Sequence, residues 1–142
     1  LGMASMVIGF SELGGEGFAA LLVDRLGKKR TIGVSFLLNG LWVVSLPWLG
    51  QSKAGALVWL FVFFFTFEVG IVSALPMMTE VVPQARATMM ALFIASLSLG
   101  RALGDVFAPW LYTGGFIVNA LVCLVLDILA VVFLSRIKLP KG

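Results

Sequence analysis

Long apolar runs separated by short polar connectors organise the whole chain. A helix needs about 20 mostly apolar residues to cross the hydrocarbon core of a bilayer. Five runs have this length, and they predict spanning helices at about residues 1–23, 31–49, 54–77, 87–108 and 115–135. Pro83 and Pro109 are expected to mark helix boundaries, since proline interrupts a helix. The pattern therefore predicts an all-α, multi-pass transmembrane helix bundle.

Composition excludes most soluble classes of protein. Hydrophobic residues make up 61% of the chain and charged residues 12%, with a mean hydropathy of +1.10. Ordinary soluble domains are about 45–50% apolar and about 25% charged, and an aqueous domain of 142 residues could not bury so much apolar surface. Membrane lipid is therefore the expected surroundings. The net charge of +3 lies in short clusters rather than in a basic stripe with aromatic residues, so no nucleic-acid partner is expected.

Residues that carry enzyme chemistry are scarce. Histidine is absent from the sequence, and Cys123 is the only cysteine. Cys123 lies inside an apolar run, where it is expected to act as a small hydrophobic side chain that is buried or faces lipid. Gly14, Gly15 and Gly17 do not follow a predicted strand, so they do not form a dinucleotide-binding loop. No spacing typical of a metal site is visible. We therefore predict that the protein is not an enzyme and uses neither a cofactor nor a metal.

The basic residues predict the orientation in the membrane. The odd-numbered connectors and the tail contain eight of them, whereas the even-numbered connectors contain only Lys53. The eight are Arg25, Lys28, Lys29, Arg30, Arg86, Arg136, Lys138 and Lys141. By the positive-inside rule the first group faces the cytoplasm, which predicts a cell membrane protein (plasma or bacterial inner membrane) with a cytoplasmic C-terminus. Trp48, Trp110 and Tyr112 then lie at the outer interface, where such side chains are common.

Residues 20–30 read ALLVDRLGKKR, directly between the first two predicted helices. This segment resembles a loop pattern of the major facilitator superfamily, close to G-x-L-x-D-R-x-G-R/K-K/R, with Ala20 where the family usually has Gly. The matching residues are Leu22, Asp24, Arg25, Gly27, Lys28 and Lys29. A second segment, EVVPQAR, contains Glu80, Pro83 and Arg86 and is similar to the E-x-x-P-x-x-R element that precedes helix eleven in the family.

The resemblance implies the architecture of the parent protein. Residues 1–142 would be a partial C-terminal half, similar to helices eight to twelve, so that five spanning helices of an incomplete six-helix half are present. The chain starts at Leu1 within an apolar run that has no basic flank, and we expect that a longer protein precedes it. Since family members transport solutes between two halves, the missing N-terminal half is an expected partner and the fragment alone is not expected to transport.

The resemblance also implies a function. The parent is expected to be a secondary active transporter of small organic solutes, a permease of the sugar or drug efflux type, with proton antiport as the coupling. The alternative is a non-transporting membrane scaffold or subunit that holds partners. In the family, the aspartate of the loop motif latches onto the positive end of a helix in the opposite half, which implies a gating role for Asp24. The other interpretation of this charge cluster is that it only sets the topology.

Charged residues inside predicted spans are the remaining candidates for function. Glu12 and Glu16 lie one turn apart on one helix face, and they suit either proton coupling or a structural role. Glu68 and Arg101 are the best candidate ion pair, for substrate binding or for holding helices together, because a lone charge in lipid is costly.

Three other features of these spans have mainly local interpretations. Arg101 with Asp105 is the local alternative to the ion pair with Glu68, and a triad of all three is also open. Gly100 and Gly104 form a small-residue face that favours close helix packing. Asp127 is expected to make a hydrogen bond within the bundle.

Overall fold

Helices joined by turns of one to four residues make up residues 2–137, the part of the chain that the computed structural model describes. Leu1 and the tail residues Lys138 and Lys141 lie outside the described residues. No strand occurs in residues 2–137, which confirms the predicted all-α class. The helices are α1 (Gly2–Leu26), α2 (Lys28–Val44), α3 (Leu46–Leu49), α4 (Lys53–Val81), α5 (Arg86–Tyr112) and α6 (Phe116–Arg136), with a 3-10 turn at Pro83–Ala85.

Four of the described helices are long and apolar enough to cross a membrane: α1, α4, α6, and α5 together with the 3-10 turn before it. The prediction of five unbroken spans is therefore corrected at the second one. There the helix stops at Val44 and resumes at Leu46 as the short α3. Pro47 lies in the first turn of α3, where its ring cannot donate a backbone hydrogen bond and would crowd the carbonyl of Val43. The Ser45 hydroxyl donates to Trp42 O at 2.6 Å at this break.

Proline positions were only partly predictable. Pro83 begins the 3-10 turn between α4 and α5, as predicted. The boundary predicted at Pro109 is wrong, because α5 continues through Pro109 to Tyr112, and Pro76 likewise lies inside α4. Neighbouring helices can satisfy the backbone groups that proline frees in a membrane helix. Near Pro109, Asn119 on α6 donates its amide to Ala108 O at 3.5 Å, which joins α6 to α5.

Helix α4 occupies the middle of the bundle. It packs extensively against α1 and α2, while α2 also packs against α6, and α5 makes fewer contacts with α4 and α6. Small residues permit this arrangement. A Cβ added at Gly15 on α1 would lie 2.9 Å from Glu68 Cβ, and one added at Gly70 on α4 would lie 2.9 Å from the Phe36 ring. Close helix approach through glycine is the usual device for packing in membranes.

Polar contacts join α2 to α4 at mid-depth. The Asn39 amide donates to Phe63 O at 2.8 Å and to Thr66 Oγ1 at 3.0 Å, and both polar side chains are buried. One turn further along, the two indoles exchange bonds: Trp42 Nε1 donates to Trp59 O at 3.1 Å, and Trp59 Nε1 donates to Trp42 O at 3.0 Å. Each indole thus satisfies its donor on the other helix, as buried tryptophans usually must.

Two apolar clusters hold the ends of the bundle. Ile32, Ala74, Met77 and Leu134 are buried together near the end where α1 stops and α2 begins, which we call the basic end. Val43, Trp59 and Ala120 form the second cluster, toward the opposite end. Each cluster includes residues of α2, α4 and α6, so these three helices share the buried apolar clusters.

Candidate functional site

The turn at the basic end is a single residue. Gly27 has a φ of 88°, which favours glycine because a Cβ is strained there, and this confirms the tight turn predicted at this position. The connector predicted over residues 24–30 is longer than the one observed, because α1 ends at Leu26 and α2 begins at Lys28. Helical hydrogen bonding continues to both sides of the turn, since Gly27 N donates to Val23 O at 2.9 Å and Thr31 N donates to Gly27 O at 3.0 Å. Asp24 and Arg25 therefore lie in the last turn of α1.

Lys28 joins the segment at residues 20–30 to the segment EVVPQAR at residues 80–86. Its ammonium forms an ion pair and a hydrogen bond with Glu80 at the end of α4, and it lies 3.6 Å from Asp24 Oδ1. The hydrogen bond to Glu80 is the main cause that raises the pKa of Lys28 above its ordinary value. Lys28 therefore stays charged throughout the physiological range, and it connects α1, α2 and α4 at the basic end.

Lys29 makes a different connection at the same end. Its ammonium donates to Ser135 O at 3.3 Å and to Ile137 O. These carbonyls belong to the end of α6, where the last backbone acceptors of a helix have no partner within the helix. A positive charge is also favourable there because of the helix dipole. The consecutive lysines of the loop motif thus bind two different helices.

Asp24 is the exposed member of the motif. Its side chain is 80% exposed, and its partner within the described residues is Lys28. Arg25 and Arg30 are also exposed and make no salt bridge within 4.0 Å among residues 2–137. Pro83 and Arg86 flank the turn that follows Glu80, at the start of α5. At the basic end, Lys28 and Lys29 therefore join helices, whereas Asp24, Arg25 and Arg30 remain exposed.

Three carboxylates gather where α1 meets α4. Glu12 and Glu16 lie one turn apart on α1, as predicted, with Gly15 between them packed directly against Glu68. Glu68 interacts electrostatically with Glu16, Glu12 and Arg101. The approach of the α1 carboxylates to Glu68 was not predicted from the sequence. The buried residues Ser11, Gly15, Ala19 and Val23, small for the most part and four residues apart, are the signal that could have indicated this contact.

Glu68 and Arg101 line one cleft between α4 and α5. The cleft has a volume of about 590 Å³ and is also lined by Ser96 and Ser98. The charged groups of Glu68 and Arg101 are more than 4.0 Å apart, since the salt bridges within residues 2–137 are those of Lys28. Asp105 is not in salt-bridge contact with Arg101 and lines a second cleft nearer the end of α5. The cleft thus presents one acidic and one basic group with space between them.

Helix α5 is the least covered of the long helices. Among residues 2–137, none of its residues is buried and nothing lies within 4 Å of a Cβ added at Gly100 or Gly104. The close packing expected at these glycines is therefore not made by the described helices. The hydrogen bond expected for Asp127 is also absent among residues 2–137; its carboxylate instead lies against Gly40 of α2, where an added Cβ would be 2.8 Å from Oδ2.

The chain matches a known protein family. The sequence pattern described as Major Facilitator Superfamily matches residues 1–142, the full length of the chain. No curated protein and no solved structure matches it. Among residues 2–137, no three acidic, cysteine or histidine side chains are placed to hold a metal ion.

Proposed function

The chain belongs to the major facilitator superfamily, a family of membrane transporters, and we propose that it forms part of the C-terminal half of a secondary active transporter. In this assignment α1, α2 with α3, α4, α5 and α6 correspond to helices eight to twelve. The ion pair between Lys28 and Glu80 supports it, because this contact brings together both segments that resemble the family. The partner that completes the transport path is then an N-terminal half.

The basic end is assigned to the cytoplasmic side of the cell membrane, with the C-terminus inside. The clustering of positive charge at this end supports the assignment through the positive-inside rule. Trp48, Trp110 and Tyr112 support it as well, because they are 65%, 70% and 59% exposed and lie at or beside helix ends on the opposite side.

Asp24 is assigned the role of a conformational gate, within a motif formed by Asp24, Arg25, Gly27, Lys28 and Lys29. Its exposure supports this role, since an exposed carboxylate is free to approach the positive N-terminal end of a helix in the opposite half. Lys28 and Lys29 hold the turn in place through Glu80 and the end of α6. Asp24 thus lies beside a turn that is anchored to α4 and α6.

The cleft between α4 and α5 carries the transport proposal. It exposes Arg101 and Glu68, and Glu68 in turn lies near Glu12 and Glu16. Several carboxylates inside a membrane are costly unless their charge is neutralised. Binding of a proton neutralises a carboxylate without the help of any other group. We assign proton coupling to this group and binding of a small organic solute, a sugar or a drug, to the cleft. The expected direction of substrate movement is efflux, coupled to protons by antiport.

A transport assay tests this function. The protein from the complete reading frame that contains this chain is reconstituted in liposomes, a proton gradient is imposed, and the fluxes of a panel of sugars and cationic drugs are measured. Flux that depends on the gradient supports the proposal. If the protein is folded and inserted but moves no substrate and no protons, the alternative of a non-transporting membrane scaffold or subunit is favoured.

A further inference from the structure

An apolar groove separates α1 from α2 near the basic end. The two helices diverge from their common turn because each packs on α4 and they make few contacts with each other. The groove has a volume of about 300 Å³ and is lined almost entirely by apolar groups of α1, α2 and α4. Phe18 and Phe65, whose rings meet edge-to-face at 5.7 Å, form part of its wall.

Arg30 is the charged residue that lines the groove. It is exposed and has no carboxylate within 4.0 Å among residues 2–137. The two preceding residues are less available to bind an anion in this groove, because Lys28 is paired with Glu80 and Lys29 with carbonyls of α6. A guanidinium that has no ion-pair partner among residues 2–137 and lines an apolar groove calls for an anion that is attached to an apolar body.

The depth of the groove fits one leaflet of a bilayer. Its lining on α2 extends from Arg30 to Leu38, which corresponds to about 12 Å at 1.5 Å per residue. One leaflet of the hydrocarbon core is about 15 Å thick. A ligand whose charge lies at Arg30 would therefore have its apolar part beside Val34 and Leu38, parallel to the helices.

From this combination we propose that the groove binds an anionic glycerophospholipid, with its phosphate on Arg30 and one acyl chain between α1 and α2. A water-soluble anion would leave the apolar wall uncovered. A zwitterionic lipid matches the wall but brings a positive group to the mouth. Since lipid tails are as apolar as the groove, the preference for the anionic lipid must come from the charge of its headgroup. One basic residue near the membrane surface is expected to raise the affinity about fivefold.

This site is distinct from the cleft assigned to transport. Residues 65, 66 and 69 of α4 line the groove, whereas residues 67, 68 and 71 line the cleft. At 100° per residue these two sets lie on opposite faces of the helix. The proposal therefore does not depend on the transport function, and a bound lipid would instead brace α1 against α2 beside the motif at the basic end.

Native mass spectrometry of the purified protein tests the headgroup contact. The protein is titrated with phosphatidylglycerol and, separately, with phosphatidylcholine that has the same acyl chains. The first bound phosphatidylglycerol should be preferred several-fold, and Arg30→Gln should reduce that preference about fivefold. Arg86→Gln is the matched control, because Arg86 is exposed at the same end without lining the groove. An equal effect of both variants, or a full preference in a folded Arg30→Gln protein, overturns the proposal.

The acyl contact has its own test. Val34→Trp should fill the groove and lower the affinity for both lipids at least threefold, whereas Leu41→Trp, on an exposed residue two turns along the same helix, should not. Leu38→Trp replaces Val34→Trp if the latter does not fold. Competition with glycerol phosphate separates the two possible anions: if it displaces phosphatidylglycerol at equal concentration, the site binds a soluble phosphate and the lipid proposal is wrong.

Discussion

Lys28 at the start of α2 is paired with Glu80 at the end of α4, 52 residues later in the chain. The pair fixes the turn at Gly27 to the central helix of the bundle. Because the Lys28 side chain is 19% exposed and that of Glu80 47% exposed, the pair is partly shielded from water. It is therefore screened less by water than a fully exposed pair and desolvated less than a buried one.

Breaking this pair should destabilise the basic end moderately. We expect Glu80→Gln or Lys28→Met to lower the free energy of unfolding by about 1 kcal/mol, because one charge of the pair is left without its partner. Thermal unfolding in detergent measures the loss, and the double variant Lys28→Met/Glu80→Gln should cost less than the sum of the single changes. Lys53→Met, at the opposite end and without an ion pair among residues 2–137, is the control. Additive losses would contradict a direct interaction.

Close contact between α1 and α4 at Gly15 predicts a sharp difference between two glycines. In Gly15→Ala the new methyl group would lie 2.9 Å from Glu68 Cβ and 3.0 Å from Phe65 O, and a backbone oxygen cannot rotate away. We expect a loss of about 1–3 kcal/mol from overpacking. The Cβ of Gly17→Ala on the same helix would meet nothing within 4 Å among residues 2–137, so this variant should be neutral or slightly stabilising, because alanine favours a helix. Equal melting temperatures for the two variants would refute this packing.

The sequence predicted the helices well because apolar length alone identifies a membrane helix. The turn at Gly27 was also accessible, since its neighbours are helix formers and glycine is the natural residue at positive φ. What could not be predicted is which helices are neighbours. The pairing of Lys28 with Glu80, the approach of Glu12 and Glu16 to Glu68, and the open face at Gly100 each depend on the packing order around α4. No local pattern specifies that order.

The contact of Asn39 with α4 predicts a cost for its removal. Asn39→Leu loses the bonds to Phe63 O and Thr66 Oγ1, and hydrogen bonds between membrane helices are worth about 0.6–2 kcal/mol. We expect a loss near the lower end of that range, because the Thr66 hydroxyl already lies within bonding distance of Val62 O at 2.8 Å. Thermal unfolding of Asn39→Leu and of Thr66→Val should therefore show the larger loss for Asn39→Leu.

Arg101 separates a transport role from a structural one. It forms no ion pair within residues 2–137 and lies on α5, which has no buried residue. Arg101→Met should therefore change the free energy of unfolding by no more than about 0.5 kcal/mol.

The same substitution should abolish substrate flux in the liposome assay, because it removes the cationic group of the cleft. Glu68→Gln should abolish the dependence of flux on the proton gradient, whereas Asp105→Asn, in the neighbouring cleft, should retain it. If Arg101→Met instead transports normally and melts at a clearly lower temperature, Arg101 holds helices together in the complete protein. The cleft between α4 and α5 would then not be the substrate site.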